Sequence, residues 1–238
     1  MSSIAPSNSL KARSCSQCSM GELCLPVGLN KEELERLEGI VHVGQALRDG
    51  DALFTVGQPF ESLYAVRSGM FKTVAIDESG EEHILGFYLP GELVGLEGIY
   101  SGRYTCTAVA LDTSSICRVE FDQLSGLAGD MRTLQQQMFR LMSKELCSNK
   151  NTMSELTAEQ KLAQFLVELS DRYAQRGYSA TQFALAMSRR DIASYLGMAA
   201  ETVSRLLKRF QSSQWIAVER RQLEILDKEC LIELSLAR

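Results

Sequence analysis

The chain has 238 residues, of which 45% are hydrophobic and 23% charged, and its formal net charge is −5. This length can hold two modest domains, and the composition is ordinary for a soluble globular protein. No stretch approaches the ~18 consecutive apolar residues of a membrane span, and the first dozen residues lack the apolar core of a secretory signal. We therefore expect a cytoplasmic protein with no membrane partner.

The sequence also lacks the common signatures of catalysis. It has no Gly-rich phosphate-binding loop and no G-x-S-x-G elbow. The two histidines, His42 and His83, have neither cluster nor triad spacing, and we interpret them as surface or strand residues. We therefore expect a protein that is not an enzyme.

Three of the seven cysteines form a C-x2-C-x5-C run, Cys15, Cys18 and Cys24, in a Ser-rich segment, residues 1–28, without apolar periodicity. In a reducing compartment this clustering favours metal or redox chemistry over disulfides, and thiolates hold zinc or iron–sulfur clusters. Spacing alone leaves zinc open, and it leaves Cys117 evenly balanced between a fourth ligand and a small buried hydrophobe. The other cysteines have no partner pattern and are interpreted as structural: Cys106, Cys147 and Cys230.

Residues 29–130 have the pattern of a short helix followed by a small β domain. Asn30 can cap a helix whose Leu34 and Leu37 turn inward. Beyond residue 40, strand-like runs alternate with Gly-containing turns at intervals of roughly 8–12 residues, which is typical of a sandwich or barrel. We predict an antiparallel β-roll with strands at Ala52–Val56, Ser62–Val66, Met70–Ile76, Ile84–Tyr88, Thr105–Ala110 and Ser115–Val119.

Residues 131–157 have a helical period, with apolar residues three and four positions apart on one face. Two interpretations of this stripe remain open. It is either a helix of the domain's own core or the seam of a dimer, weakened towards its C-terminal half by polar residues such as Asn149. In the second interpretation the dimer contacts are Met131, Leu134, Met138, Leu141, Met142 and Leu146.

Residues 158–238 have the pattern of a helical domain that ends in a hairpin. Ser188 and Asp191 resemble a capping box, and Ala193-x3-Gly197-x5-Val203 is the spacing of a helix-turn-helix, in which Gly supplies the turn. The elements predicted to follow are a second helix from about Ala200 to Phe210 and a wing formed by Trp215–Val218 and Leu223–Leu226.

The second of these helices has the chemistry of a DNA-reading helix. At about 100° per residue, Glu201, Ser204 and Arg205 share one face, opposite an apolar face. Their carboxylate, hydroxyl and guanidinium groups match the donors and acceptors of the major groove. The surrounding residues 188–221 carry seven Lys or Arg and three acidic residues. We therefore predict double-stranded DNA as a partner, with its phosphates held by Arg189, Arg190, Lys208 and Arg209.

The cysteine run, β-roll, long helix and winged helix-turn-helix together resemble the CRP/FNR family of bacterial transcription regulators across essentially the whole chain. The resemblance implies an α+β fold: an antiparallel, cyclic-nucleotide-binding-like jelly roll, a dimerisation helix and a winged helix-turn-helix. The phrases most similar to the oxygen-sensing FNR/ANR branch are Cys15-Ser-Gln-Cys18, Leu63-Tyr-Ala-Val-Arg-Ser-Gly69, Ser-Ile-Cys117-Arg-Val, Leu141-Met-Ser143, Ala174-Gln-Arg-Gly177 and Glu201-Thr-Val-Ser-Arg205.

This resemblance implies an oxygen-responsive activator that works as a homodimer. It implies a [4Fe–4S] cluster on Cys15, Cys18, Cys24 and Cys117, whose loss to oxygen would dissociate the dimer and switch off DNA binding. It also implies inverted TTGAT-like half-sites, read by Glu201, Ser204 and Arg205. A contact with RNA polymerase is implied at the turn that contains Asp77, Glu78, Gly80 and Glu81.

Two departures from the family pattern bear on function. Nucleotide-binding relatives carry Gly-Glu-Leu-Gly followed by an Arg-Ser/Thr pair, whereas this chain reads Gly95-Leu96-Glu97-Gly98 and has Tyr104 after Arg103. We therefore expect no cyclic nucleotide, unless Glu92 or Glu97 replaces the missing carboxylate. The chain is also about three residues shorter around residues 151–157, which leaves the rotation between the domains open. The alternative function is a regulator of the same architecture with another effector, whose cysteines bind zinc or no metal.

Overall fold

The computed structural model describes residues 15–77, 80–148 and 156–237. The strands of the N-terminal domain are β1 (Val41–Val43), β2 (Ala52–Phe54), β3 (Ser62–Ser68), β4 (Phe71–Ile76), β5 (Glu82–Tyr88), β6 (Leu93–Val94), β7 (Thr107–Ala110) and β8 (Ser115–Glu120). They form two four-stranded antiparallel sheets, in the orders β1-β8-β3-β6 and β2-β7-β4-β5. The predicted antiparallel roll is confirmed, and each predicted run contains a strand. Strands β1 and β6 were not predicted, because two or three residues are too few to show a period.

Stacked aromatic side chains fill the space between the two sheets. The rings of Phe54 and Tyr104 lie parallel, with centroids 3.9 Å apart, and Tyr64 lies beside them. The Tyr104 hydroxyl donates to the carbonyl of Ser62 at 2.7 Å. Because the rings are buried and the hydroxyl is satisfied, this part of the roll packs on itself at no cost in lost hydrogen bonds.

Four helices flank the strands: α1 (Lys31–Glu38), α2 (Gly98–Ser101), α3 (Phe121–Asp130) and the long α4 (Arg132–Ser148). Helix α1 begins as predicted, with the Asn30 side chain accepting from the Glu33 amide and the Glu33 side chain accepting from the Asn30 amide. Leu37 is fully buried, so α1 packs against the roll through its predicted inner face.

Part of the predicted apolar stripe of the long helix is buried within the chain's own N-terminal domain. Met131 lies outside α4 with an extended backbone, and Met131 and Leu134 are 2% and 0% exposed in a cluster with Leu25 and Leu124 of the same chain. These two side chains have almost no surface left for a partner, so for them the structure favours the interpretation of a helix in the domain's own core. A helical stripe predicts which face is apolar, not which surface covers it.

The C-terminal domain contains α5 (Ala158–Gln175), β9 (Gln182–Ala184), α6 (Arg189–Leu196), α7 (Ala200–Ser212), β10 (Ile216–Glu219), β11 (Gln222–Ile225) and α8 (Lys228–Leu236). The predicted helix-turn-helix is confirmed: Ser188 and Asp191 form a capping box, and Gly197 ends α6 with φ +65°. Strands β10 and β11 form the predicted wing, and β9 extends their sheet. The domain is therefore a winged helix-turn-helix.

The two domains share one apolar core. Roll residues Val74, Ile84 and Phe87 belong to the same buried cluster as Leu166 and Leu207 of the C-terminal domain. The sheet that contains β4 and β5 therefore serves as the surface on which the helix-turn-helix docks. The sequence did not predict this interface, because apolar periodicity does not identify the partner of a buried face.

Some predictions fall outside the described residues: Glu78, Asn149 and most of the shortened segment at 151–157. Within the described part of the chain, no helix is both long and apolar enough to cross a membrane.

Candidate cysteine site and DNA interface

Cys15, Cys18, Cys24 and Cys117 line one cavity of about 230 Å³ beneath the N-terminal loop. A water-sized group needs only ~10–15 Å³, so this cavity can accept a group of several atoms. The structure thus brings the isolated Cys117 to the three clustered cysteines. The other lining residues are mostly apolar and include Met20, Leu25, Leu37, Val41, Val43, Ala65 and Val119.

The loop that carries three of these cysteines is tied to two helices. Cys15 begins a short 3-10 turn, and the neighbouring Ser16 amide donates to Glu38 of α1 at 2.8 Å. From α4, the Gln137 side-chain amide donates to the carbonyl of Cys24 at 3.0 Å. Any group that orders this loop therefore acts on a segment already connected to the long helix.

Cys117 comes from a rigid element. It lies in β8, paired with Val43 of β1 on one side and with Ala65 of β3 on the other. Its backbone is thus fixed by the sheet, whereas the other three cysteines come from a loop. A group held by all four would join the loop to the roll.

Burial raises the pKa of three thiols at this site. It raises the pKa of Cys15 to about 11 and that of Cys24 to about 12, with smaller contributions from neighbouring thiols. Burial likewise raises the pKa of Cys117, while the half-buried Arg67 acts in the opposite direction. These three thiols are therefore protonated at neutral pH, and a metal centre that binds them as thiolates must displace their protons.

The second helix of the helix-turn-helix has the two faces that its sequence predicts. Glu201 and Arg205 are exposed, and Ser204 is half-buried, with its hydroxyl donating to the carbonyl of Ala200 at 2.9 Å. The opposite face is buried and consists of Val203, Leu206, Leu207 and Phe210. The acceptor and the guanidinium proposed to read bases are thus presented to solvent on a helix anchored from behind.

The four predicted phosphate contacts have different surroundings. Arg190 and Lys208 are exposed. Arg209 forms an ion pair with Glu159 of α5. Arg189 is half-buried, and burial lowers the pKa of its guanidinium. Arg190 and Lys208 are therefore the better placed of the four for contact with a phosphate backbone.

The two carboxylates that could have replaced the missing nucleotide ligand are engaged elsewhere. Glu92 forms ion pairs with Arg172 and Arg176 of the C-terminal domain. Glu97 accepts a hydrogen bond from the buried Cys106 thiol at 3.3 Å. These contacts are consistent with the absence of a cyclic nucleotide ligand, which stays a prediction.

The turn between β4 and β5 presents the predicted polymerase contact. Asp77, Gly80 and Glu81 are exposed there. The Asp77 carboxylate accepts from the Glu81 amide at 3.0 Å and lies 2.7 Å from Nε2 of His83. The described residues of the turn thus form an acidic surface feature, and Glu78 lies outside the described residues.

Sequence reasoning missed several residues of these sites. Arg67 and Gln137 contact or face the cysteine cavity, and Glu92 and Arg172 join the two domains. Only Gln137 could have been identified from a local sequence pattern, because it interrupts the apolar stripe of the long helix with a polar residue. In the structure its side chain is 6% exposed.

Comparisons with known families match both domains. Residues 160–234 match the model of the Crp-like helix-turn-helix domain, and residues 45–130 match that of the cyclic nucleotide-binding domain.

Whole-chain relatives give the same result. Transcriptional activator protein Anr of Pseudomonas protegens is 46% identical over 224 residues, which cover 93% of this chain and 92% of that protein. The fumarate and nitrate reduction regulatory protein of Escherichia coli (strain K12) is 43% identical over 93% of this chain and 90% of its own length. Among solved structures, FixK2 from Bradyrhizobium japonicum matches with a TM-score of 0.75 and 27% identity, over 84% of this chain and 99% of that one.

Proposed function

Because the chain belongs to the Crp/FNR family of transcription regulators, we propose that it is an oxygen-responsive activator whose DNA binding depends on a [4Fe–4S] cluster. Family membership makes it a DNA-binding regulator that acts as a dimer, and not an enzyme. The observation that carries the finer proposal is the meeting of Cys15, Cys18, Cys24 and Cys117 at one cavity.

The donor set fits an iron–sulfur centre. Four thiolates are the usual ligands of a [4Fe–4S] cluster, and the apolar walls would limit access of water. When bound, such a cluster supplies the oxygen-reactive chemistry. The chain's own part is mechanical: the four cysteines would tie the N-terminal loop to β8, and Gln137 connects that loop to α4.

The dimer seam that we propose is rotated relative to the predicted one. Phe139 and Leu146 are each 62% exposed, and Met142 between them is half-buried, with spacings of three and four residues. Such spacing is that of a coiled-coil seam. Met138 and Leu141 pack in part against the roll, so they border this seam, and Met142 and Leu146 are among its proposed dimer contacts.

The DNA contacts that we propose follow the exposed face of α7. Glu201, Ser204 and Arg205 would read TTGAT-like half-sites, with Arg to guanine and Glu to cytosine, while Arg190 and Lys208 hold phosphates. The acidic turn at Asp77, Gly80 and Glu81 is proposed as the RNA polymerase contact, because it lies exposed beside the helix-turn-helix.

Iron analysis tests this proposal. The protein is purified without oxygen, and iron and acid-labile sulfide are measured per chain in wild type, Cys117→Ala and Cys147→Ala. About four of each are expected in wild type and in the exposed Cys147→Ala control, and loss of both in Cys117→Ala. Zinc or no metal in wild type would overturn the cluster and leave a regulator with another effector.

A further inference from the structure

The turn at Pro90–Glu92, between β5 and β6, contacts the cysteine loop on one side. Gly91 has φ +88°, and a Cβ atom placed on it would lie 3.0 Å from Cβ of Leu23 and 3.5 Å from Cβ of Met20. A contact of 3.0 Å is tighter than nine in ten real Cβ contacts, so the loop between Cys18 and Cys24 packs closely against the backbone of the turn.

The same turn holds the C-terminal domain on its other side. Glu92 accepts from Nη2 of Arg172 at 2.6 Å and from Nη2 of Arg176 at 2.7 Å. Arg176 also donates to the carbonyl of Pro90 at 2.6 Å, and Arg172 donates to that of Phe87. Two arginines of α5 and its C-terminal cap thus close around one carboxylate of the roll.

This ion cluster is buried. The side chain of Arg176 is 1% exposed and that of Glu92 14%. Burial opposes ionisation of Glu92, but Arg172 and Arg176 outweigh it and hold the pKa of the carboxyl below its ordinary value. Removing one member would leave a charge buried without its partner, which is far costlier than breaking a surface pair.

A second set of contacts holds the helix-turn-helix itself to the same sheet. Nζ of Lys72 lies 2.6 Å from Oδ1 of Asp191, which completes the capping box of α6. The Ile84 amide donates to the Ser194 hydroxyl at 3.0 Å. Glu201 remains exposed in this arrangement, so the docked domain still presents its base-reading face.

From these contacts we propose that the Pro90–Glu92 turn relays order in the cysteine loop to the DNA-binding domain. A loop packed on Gly91 holds Glu92 in place, and Glu92 orients α5 through Arg172 and Arg176. Glu92 is thus a positioning residue for DNA binding. The relay rests on the proposed function, because cluster binding is the event that would order the loop. Its route does not pass through the dimer seam.

The first experiment compares Glu92→Gln with Glu97→Gln in the full-length protein purified without oxygen. Glu97 is a matched control, because its carboxyl is also largely buried but bonds only within the roll. Hydrogen exchange at residues 172–178 is expected to be on the order of 100-fold faster in Glu92→Gln and unchanged in Glu97→Gln. At equal dimer content by sedimentation, affinity for an inverted TTGAT repeat should fall at least about tenfold in Glu92→Gln alone.

Arg172→Met provides the same comparison if Glu92→Gln does not fold, since Arg172 is the more exposed of the two arginines. It should also accelerate exchange at residues 172–178. Exchange and affinity like those of wild type in the folded variant would overturn the role of the ion cluster.

The second experiment tests the link between loop and turn. Gly91→Ala places a methyl group against Leu23, whereas Gly50→Ala has the same φ of +88° with no atom within 4 Å of the added carbon. Both variants carry the same backbone strain, so faster exchange at residues 172–178 in Gly91→Ala alone supports the relay. Equal exchange in the two variants would overturn it.

Iron content measured on the same samples separates the two proposals. Wild type without iron would contradict the cluster, while the two glycine variants would still report on the contact between loop and turn. Wild type with iron, in which cluster removal dissociates the dimer but leaves exchange at residues 172–178 unchanged, would overturn the relay and leave the proposed function standing.

Discussion

The cysteine loop and the helix-turn-helix differ in how far their polar and ionisable groups find partners within the folded chain. In the helix-turn-helix, the Ser188–Asp191 capping box and the buried face of α7 find their partners within the folded chain, including Lys72 and apolar residues of the roll. In the loop, the half-buried thiols of Cys15 and Cys24, whose pKa values are raised, line the cavity that Cys117 also lines. Under the proposed function, the signal enters at the cysteine loop and is read out by the helix-turn-helix.

The largest expected effect tests the packing of the DNA-binding domain. Leu166 on α5 is fully buried, so Leu166→Ala should cost about 2–5 kcal/mol of unfolding free energy in denaturant titrations. The exposed Gln175→Ala on the same helix serves as control. Iron bound per folded chain should not change in either variant. Loss of iron from folded Leu166→Ala would show that the two regions are not separable in this way.

Base reading gives the next effect. Arg205→Ala should cost about 1–3 kcal/mol of discrimination between a TTGAT-like site and random DNA, because a bidentate contact to guanine is lost. Lys208→Ala should instead weaken binding to both DNAs and reduce the salt dependence. Competition binding at several salt concentrations distinguishes them, and a uniform loss for Arg205→Ala would contradict its assigned role.

The next prediction concerns the proposed dimer seam on α4, which lies between the cysteine loop and the helix-turn-helix. Phe139→Ser should weaken dimerisation by about 1–2 kcal/mol, since large aromatic side chains that become buried at an interface are typical hot spots. Arg140→Ala, roughly 100° further around α4, should not. Sedimentation equilibrium measures both variants. Equal dimer affinities of the two variants would show that the seam lies on another face of α4.

Acidification should loosen the docking of the C-terminal domain on the roll before it unfolds the whole chain. Glu92 has a lowered pKa, so its ion cluster contributes stability that is present above the unfolded value of about 4.5 and is lost as pH falls through the folded value. Lys144 of α4, 3.9 Å away, adds to the positive charge that would then be uncompensated. The protection of residues 172–178 relative to their intrinsic exchange rate should therefore fall only below pH 4.5, and a fall already near neutral pH would contradict the assignment.

Local features were predictable from sequence, and long-range ones were not. The caps at Asn30 and Ser188 and the turn at Gly197 depend on neighbouring residues, so their patterns identified them. The contact of Glu92 with Arg172 spans 80 positions and leaves no periodic signal. The burial of Leu134 in its own domain was missed for a related reason, because an apolar stripe does not show whether a roll or a second chain covers it.

The most direct test of oxygen-gated DNA binding measures affinity for an inverted TTGAT repeat before and after exposure of the anaerobic protein to oxygen. Cys117→Ala is measured alongside, because it lacks the ligand that joins the loop to β8. The account predicts tight binding only for the unexposed wild type, falling after exposure to the level of Cys117→Ala. Equal affinity of wild type before and after oxygen, together with equal affinity of Cys117→Ala, would contradict it.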